Sequence, residues 1–318
     1  MTTTTATTPT EFQFNVAERK QLSLKIIVGG PPGAGKTLSS LILAAGMIGI
    51  HENLATWDDV AFADTESESA LYYAGTLHDM AYGEGLIEIG KFTHIPFKPP
   101  YHPDRWIRLI REIVAKRKKI AILDSTTHEW TGVGGCLDWH RECGGRAQDW
   151  GRVSPRHQAF LDEVRNAPIP IIVNLREAVE HRIENENGKV VVQKVGLKPQ
   201  QREGFEYEYD LQLSLSQRDH TATASKDRTG LLQPLPPAVV TYRTGRVLAN
   251  WANSGADAVG SRGWIAKRCD ELRHAKDEDT LKRIFMETNA QAAGLLVAES
   301  RDAIARAKDA AKARLGIK

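Results

Sequence analysis

Gly30-Pro31-Pro32-Gly33-Ala34-Gly35-Lys36-Thr37 fills every fixed position of G-x-x-x-x-G-K-[ST]. Residues of these types at this spacing cradle phosphates. Glycines let the backbone turn tightly and bring its N–H groups to the anion, the lysine reaches the β- and γ-phosphates, and the last hydroxyl ligates Mg²⁺. The loop follows the apolar run Leu24 to Val28 and precedes an amphipathic stretch ending near Ile50, a strand-loop-helix context that a chance Gly/Pro turn lacks. The binding segment is therefore read as Gly30 through Leu38, the ligand as ATP and the metal as Mg²⁺. Such a site needs a carboxylate opposite Thr37, and Ile120-Ala121-Ile122-Leu123-Asp124 supplies one at the end of an apolar run. Asp124 is expected to hold Mg²⁺ through water.

Elements must bring these residues together. Leu24 to Val28, Asp59 to Ala63, Lys119 to Leu123 and Ile169 to Val173 read as strands, and Lys36 to Ile50, Ser67 to Met80, Pro103 to Arg117 and Pro155 to Asn166 as helices. Their alternation predicts parallel strands joined by crossover helices. Pro103 and Pro155 are placed at first helical positions, with Ser154 as an N-cap. Beyond Val173 the period changes to two. His181 to Ile183 and Val190 to Val195 read as a hairpin turning at Asn187-Gly188, and Tyr209 to Leu215 with Thr221 to Ser225 as an antiparallel pair. Residues 1–21 are Thr-rich and read as a flexible tail, 22–252 as the core, 253–263 as a linker and 264–318 as a small C-terminal helical module.

Asp64-Thr65-Glu66 at the second strand's end and Asp124-Ser125 at the third's, following the phosphate loop, resemble the RecA-like recombinases and related hexameric helicases. The resemblance covers about Leu22 to Val247 and implies an α/β, RecA-like P-loop NTPase core with an antiparallel extension. It makes Glu66 the glutamate that activates the attacking water, with Glu68 and Glu129 as rivals, and Lys36 part of the catalytic set. It places Asn174, or alternatively Arg176, at the strand end that senses the γ-phosphate. Lys226-Asp227-Arg228 is similar to the Lys-x-Arg element that such helicases insert into a neighbour's site, so Arg228, with Lys226, would act in trans. The segments Asp124 to Trp130, Ser154 to Phe160 and Gly196 to Gly204 resemble, more narrowly, phage-encoded RecA-like ATPases of the single-strand annealing group, which often carry an AAA label. That implies a DNA-stimulated ATPase, oligomeric as a ring or filament, acting in phage DNA recombination, annealing or replication on single-stranded DNA, with other replication or recombination proteins as further partners.

In that fold, DNA lies against the loops after the third and fourth core strands. The first, Thr126 to Val153, interleaves Trp130, Trp139 and Trp150 with Arg141, Arg146 and Arg152, and reads as a mobile basic loop suited to base stacking and phosphate contact, or else as tryptophans packed over the sheet. The second, Glu177 to Gly204, carries Arg182, Lys189, Lys194, Lys198 and Arg202. A net charge of +2 and a pI near 8.3 neither require nor exclude a nucleic-acid partner. Three sparse cysteines fit a reducing compartment, and no run reaches the roughly 18 apolar residues of a membrane span. The expected location is cytoplasmic, that of the bacterial host for a phage protein, with no membrane partner. Cys136, His140, Cys143 and His157 are close in sequence, but their spacing matches no paired-cysteine zinc site, so none is expected. The rival reading is a nucleotide-switched, protein-binding ATPase of helicase-loader or scaffold type. A small-molecule kinase is a third.

Overall fold

Apolar runs that alternate with helices become the middle of one mixed sheet. The computed structural model describes residues 22–80, 85–186, 189–253, 262–291 and 298–317, with the backbone alone at 79–80, 179–186, 189–197, 262–263, 291 and 298–300. The expected tail and most of the expected linker lie outside the described residues. Strands are β1 (Lys25–Gly30), β2 (Val60–Asp64), β3 (Thr76–Met80), β4 (Gly85–Ile89), β5 (Thr93–Pro96), β6 (Ile120–Asp124), β7 (Ile171–Glu186), β8 (Lys189–Pro199), β9 (Leu211–Leu215), β10 (Thr221–Asp227) and β11 (Ala238–Val239). The sheet runs β11-β10-β9-β1-β7-β6-β2-β5, with β8 paired to β7 and β3–β4 forming a separate pair. From β9 to β5 all neighbours are parallel, whereas β10 and β11 run antiparallel. Every residue of β1, β2 and β6 is buried, as strands covered on both faces require. This is an α/β P-loop NTPase core of RecA-like form.

Helices α1 (Lys36–Ile48), α2 (Pro103–Ala115), α3 (Thr127–Thr131), α4 (Cys136–Glu142), α5 (Trp150–Asn166) and α6 (Tyr242–Ala252) belong to this core unit, residues 22–252. On one face Leu41, Leu43 and Leu248 of α1 and α6 join a core with Phe62, Ile122 and Leu213. On the other, Trp106 of α2 and Phe160 of α5 meet Ile27, Leu123 and Val173. Helices α1 and α6 cross with their backbones nearly touching, because Gly46 and Gly245 lack side chains. A Cβ on Gly46 would lie 2.1 Å from the Tyr242 carbonyl oxygen, and one on Gly245 would lie 2.3 Å from the Leu43 carbonyl oxygen. Backbone cannot swing aside as a side chain can, so Gly46→Ala should destabilise the core unit by about 2 kcal/mol or more, read as a lower urea midpoint.

A second unit follows residue 252. Helices α7 (Arg262–Arg273), α8 (Glu278–Gln291) and α9 (Ala298–Leu315) bury Trp264, Leu272, Leu281, Ile304 and Ala311 among themselves. No helix among the described residues is long and apolar enough to cross a membrane.

Several sequence expectations need correction. Ser67 to Met80 is not a helix. Ser67 and Glu68 adopt positive φ, a 3₁₀ turn spans Ser69–Tyr73, and Gly75 at φ +74° ends it before β3, where exposure alternates with period two. Helix α5 starts at Trp150, so Pro155 and Ser154 are internal. The Gly151 carbonyl left without the Pro155 N–H is on an exposed turn, which makes the break inexpensive. The expected fourth strand and the first hairpin strand are one 16-residue strand, β7. Its turn, Asn187-Gly188, lies outside the described residues. Strand β9 is no separate antiparallel sheet, since it pairs in parallel with β1 and only β10 reverses. The Thr126 to Val153 segment is not an open loop but folds into α3, α4 and the start of α5.

Candidate nucleotide site

One row across the sheet brings the chemistry together: Val28 pairs with Asn174, Asn174 with Asp124, and Asp124 with Asp64. The next residues along these strands therefore converge at their carboxyl ends, where open α/β sheets bind ligands. There β1 ends, the phosphate loop turns, and α1 begins at Lys36. Gly33 and Gly35 sit at φ +75° and +86°, a backbone that residues with a Cβ adopt only with strain. No side chain caps α1 and no acid occupies its first turn, so its leading N–H groups remain available to an anion.

Pro31, Pro32, Gly33, Gly35, Lys36 and Thr37 line a cavity of about 700 Å³ with Glu66, Ser69, Tyr73, Asp124, Arg176, Glu177, Ala178 and Gln200. Gly30, Ala34 and Leu38 do not line it. Ala34 is wholly buried, and Leu38 packs on the core beneath α1. Lys36 Nζ donates to the carbonyls of Gly30 (3.0 Å) and Pro31 (3.1 Å). Burial holds its pKa below that of an ordinary lysine, and the carboxylates of Asp124 and Glu66 oppose the shift.

Thr37 Oγ1 donates to Asp124 Oδ2 at 2.7 Å. Asp124 is 2% exposed, and burial pushes its pKa up to about 6 against the hydrogen bond from Thr37 and the nearby Asn174 carboxamide, with Glu66 and Asp64 adding to the rise. A hydroxyl and a carboxylate opening on a polar cavity are the hard oxygen donors that suit Mg²⁺, leaving further positions for water and phosphate oxygens. Asn174 does not reach the cavity. It is fully buried beside Asp124 in the sheet and accepts from Ser40 Oγ at 2.6 Å, and its Nδ2 has no hydrogen-bond partner. Arg176, two residues on, does reach it. Its Nε donates to Glu66 Oε1 at 2.8 Å and its Nη2 to Glu66 Oε2. Of the rival glutamates, Glu68 is exposed beside a neighbouring cavity, and Glu129 is wholly buried against Cys136 and His157.

With the phosphate loop, metal-side pair and paired acid in one cavity, comparison with known families is informative. Residues 22–240 match the model of a family described as AAA domain. The chain belongs to that AAA domain family. No curated protein matches it. The assignment makes this an AAA-type P-loop domain of nucleotide-binding ATPase character.

Glu177 of this AAA domain was missed by sequence reasoning. It is 5% exposed, its Oε2 has no hydrogen-bond partner, burial raises its pKa, and Ser214 Oγ donates weakly to Oε1 at 3.4 Å. Its signal was Gly29, a glycine inside a strand: a Cβ there would lie 2.3 Å from Glu177 Oε1.

Lys226 and Arg228 stay outside the chain's own cavity. Lys226 Nζ donates to the carbonyls of Glu206 and Tyr207, while Arg228 pairs with Asp210 at 3.3 Å and donates to the Tyr207 carbonyl. In the segment after β6, Trp130 stacks on Trp150 at 5.5 Å, Trp150 stacks on His140 at 4.0 Å, and Trp139 packs on His102 at 4.5 Å. The Arg202 guanidinium lies 6.0 Å from both the Trp130 and Trp150 rings. Arg141 and Arg146 pair with Asp138 and Asp149, and Arg152 and Lys198 are exposed. The side chains of Arg182, Lys189 and Lys194 lie outside the described residues.

Proposed function

We propose that this AAA domain hydrolyses ATP with Mg²⁺. The observation that carries the reading is the convergence of Lys36, Thr37, Asp124, Glu66 and Arg176 on one cavity whose volume suits a nucleoside triphosphate. Lys36 exchanges the Gly30 and Pro31 carbonyls for β- and γ-phosphate oxygens, and the first N–H groups of α1 take the rest. Bound Mg²⁺ would be held by Thr37 and, through water, Asp124, where it neutralises phosphate charge. Arg176 turns from Glu66 towards the γ-phosphate, freeing the carboxylate. Glu66 then accepts a proton from water as the water oxygen bonds to the γ-phosphorus and the bond to the β–γ bridging oxygen breaks, releasing ADP and phosphate.

We further infer an oligomer with the nucleotide at subunit interfaces, single-stranded DNA as partner, and a role in phage recombination, annealing or replication. Supporting this, Arg228 is more than half exposed and bonds nothing in its own cavity, so a neighbouring chain can receive it. The Arg202 guanidinium lies 6.0 Å from both rings of the Trp130–Trp150 stack, and Arg152 and Lys198 are exposed. In a test at low salt, single-stranded DNA should raise ATP turnover, and Arg228→Ala should abolish the stimulated rate while leaving nucleotide binding nearly unchanged. Turnover indifferent to DNA, in a protein that does not bind it, sinks the DNA reading and leaves the ATPase standing. The protein-binding switch then takes its place, a reading favoured by Leu77 and Leu86, exposed on β3 and β4, and by Tyr72, exposed beside the cavity-lining Tyr73.

A further inference from the structure

Outside the nucleotide cavity, the three helices after β6 close around a second polar cluster. Glu129 of α3, Cys136 of α4 and His157 of α5 are 0, 0 and 1% exposed. Cys136 Sγ lies 3.0 Å from Glu129 Oε1 and 3.9 Å from His157 Nδ1, and His157 Nδ1 lies 3.0 Å from Glu129 Oε1. Among the described residues this is the only trio of His, Cys, Asp or Glu side chains whose ligating atoms come within 4.8 Å of one another.

We propose that Glu129, Cys136 and His157 bind a structural zinc ion. The size of the triangle favours it. Sides of 3.0, 3.0 and 3.9 Å put every corner about 2.0 Å from the centre, close to the length of Zn–N and Zn–O bonds and slightly short of Zn–S, so a metal seats just off that plane with little side-chain movement. Charge favours it as well. Glu129 is fully buried and pairs with no Lys or Arg among the described residues; its partners are His157, the Cys136 thiol and the Gln201 carboxamide, none of them a fixed positive charge. A divalent ion with one carboxylate, one thiolate and a neutral imidazole sums to zero. The donor set settles the metal class: one sulfur, one nitrogen and one oxygen suit borderline-soft zinc and not Mg²⁺, which takes oxygens.

Binding balances simply. Cys136 gives its thiol proton to solvent, and His157 ligates through Nδ1 with its one ring proton on Nε2, inside a ring packed against Trp130 and Phe205. No group is oxidised. The fourth position falls to water, because Gln201 presents its amide nitrogen, which donates to Glu129 Oε2 at 3.4 Å and to the Thr126 carbonyl at 3.2 Å. The ligands come from three helices and include only one cysteine, which is why no paired-cysteine spacing announces them. Such an ion would pin α3, α4 and α5, and with them the tryptophan cover.

The test uses the full chain, freed of metal with a chelator and titrated with Co²⁺. One equivalent should bring up a thiolate-to-cobalt charge-transfer band that zinc then abolishes, and zinc should raise the Tm without nucleotide. Cobalt at the Thr37–Asp124 pair gives no such band, so the two sites are distinguishable. Cys136→Ser should lose the band, while Cys143→Ser and Cys269→Ser keep it. Wild-type protein that shows no thiolate band at saturating Co²⁺ overturns the proposal whether or not the variants fold, and so does a band that survives in Cys136→Ser.

Discussion

Glu66→Gln should lower kcat for ATP hydrolysis by about 100- to 10,000-fold, with ATP affinity within a few-fold of wild type. Two separate roles of the carboxylate explain the split. In the structure Glu66 holds Arg176 by two hydrogen bonds at the cavity wall, so it neutralises the very cation that a γ-phosphate would attract. A glutamine cannot accept the water's proton, which removes the chemical step. It also loosens the grip on Arg176, so nucleotide binding has no reason to weaken. Glu68→Gln provides the contrast, because Glu68 is exposed and absent from the cavity wall. Single-turnover measurements decide: a slow Glu68→Gln beside a normal Glu66→Gln would move the base by two residues and sink this assignment.

The second large effect pairs a loss of activity with a gain in stability. Asp124 is charged at neutral pH although burial raises its pKa from 3.8 to about 6. The sign follows from proton binding. Between pH 4 and 6 the folded state keeps a proton that the unfolded state has released, so stability contributed by this group falls as pH rises through that window, and the cost persists above it. That cost is on the order of 3 kcal/mol at pH 7. Asp124→Asn removes the charge while still accepting from Thr37, once the neighbouring Asn174 carboxamide turns over. The nucleotide-free variant should therefore melt about 6–12 °C above wild type at pH 7.5, and the difference should shrink towards pH 4.5. Turnover at a fixed Mg²⁺ concentration should drop about 10- to 100-fold. A variant that melts below wild type at pH 7.5, or a gap that widens on acidification, would show that Asp124 carries no such burial cost.

How much of this was legible beforehand depends on distance along the chain. The phosphate loop and Asp124 could be read because each depends on its immediate neighbours: glycines where left-handed φ is needed, an apolar run before a carboxylate. The α/β alternation was readable for the same reason. The pairing of Glu66 with Arg176 was not, since 110 residues separate them and only the lateral register of β2, β6 and β7 makes them meet. Asn174 and Arg176 are two apart on one strand, so both point to the same face, and the difference between burial and cavity wall lies in where the sheet ends. The segment after β6 looked like an open basic loop because its glycines are local, whereas the stacking of Trp150 on Trp130 and His140, and the Glu129–Cys136–His157 cluster, exist only once three helices have packed. Ser67 to Met80 differs from its helical expectation for the opposite reason: Gly75, at φ +74°, is a local signal that ends a helical run.

Strand β7 carries Asn174, Arg176 and Glu177 and then continues without interruption to Glu186, paired with β8 along that length apart from one irregularity at Glu180–His181. Nine residues at about 3.3 Å each make an arm of roughly 30 Å beyond Glu177. A tilt of about 5° at its base would carry the far end through about 2–3 Å, so a rotation too small to notice at the nucleotide cavity would be a full atomic displacement at the tip.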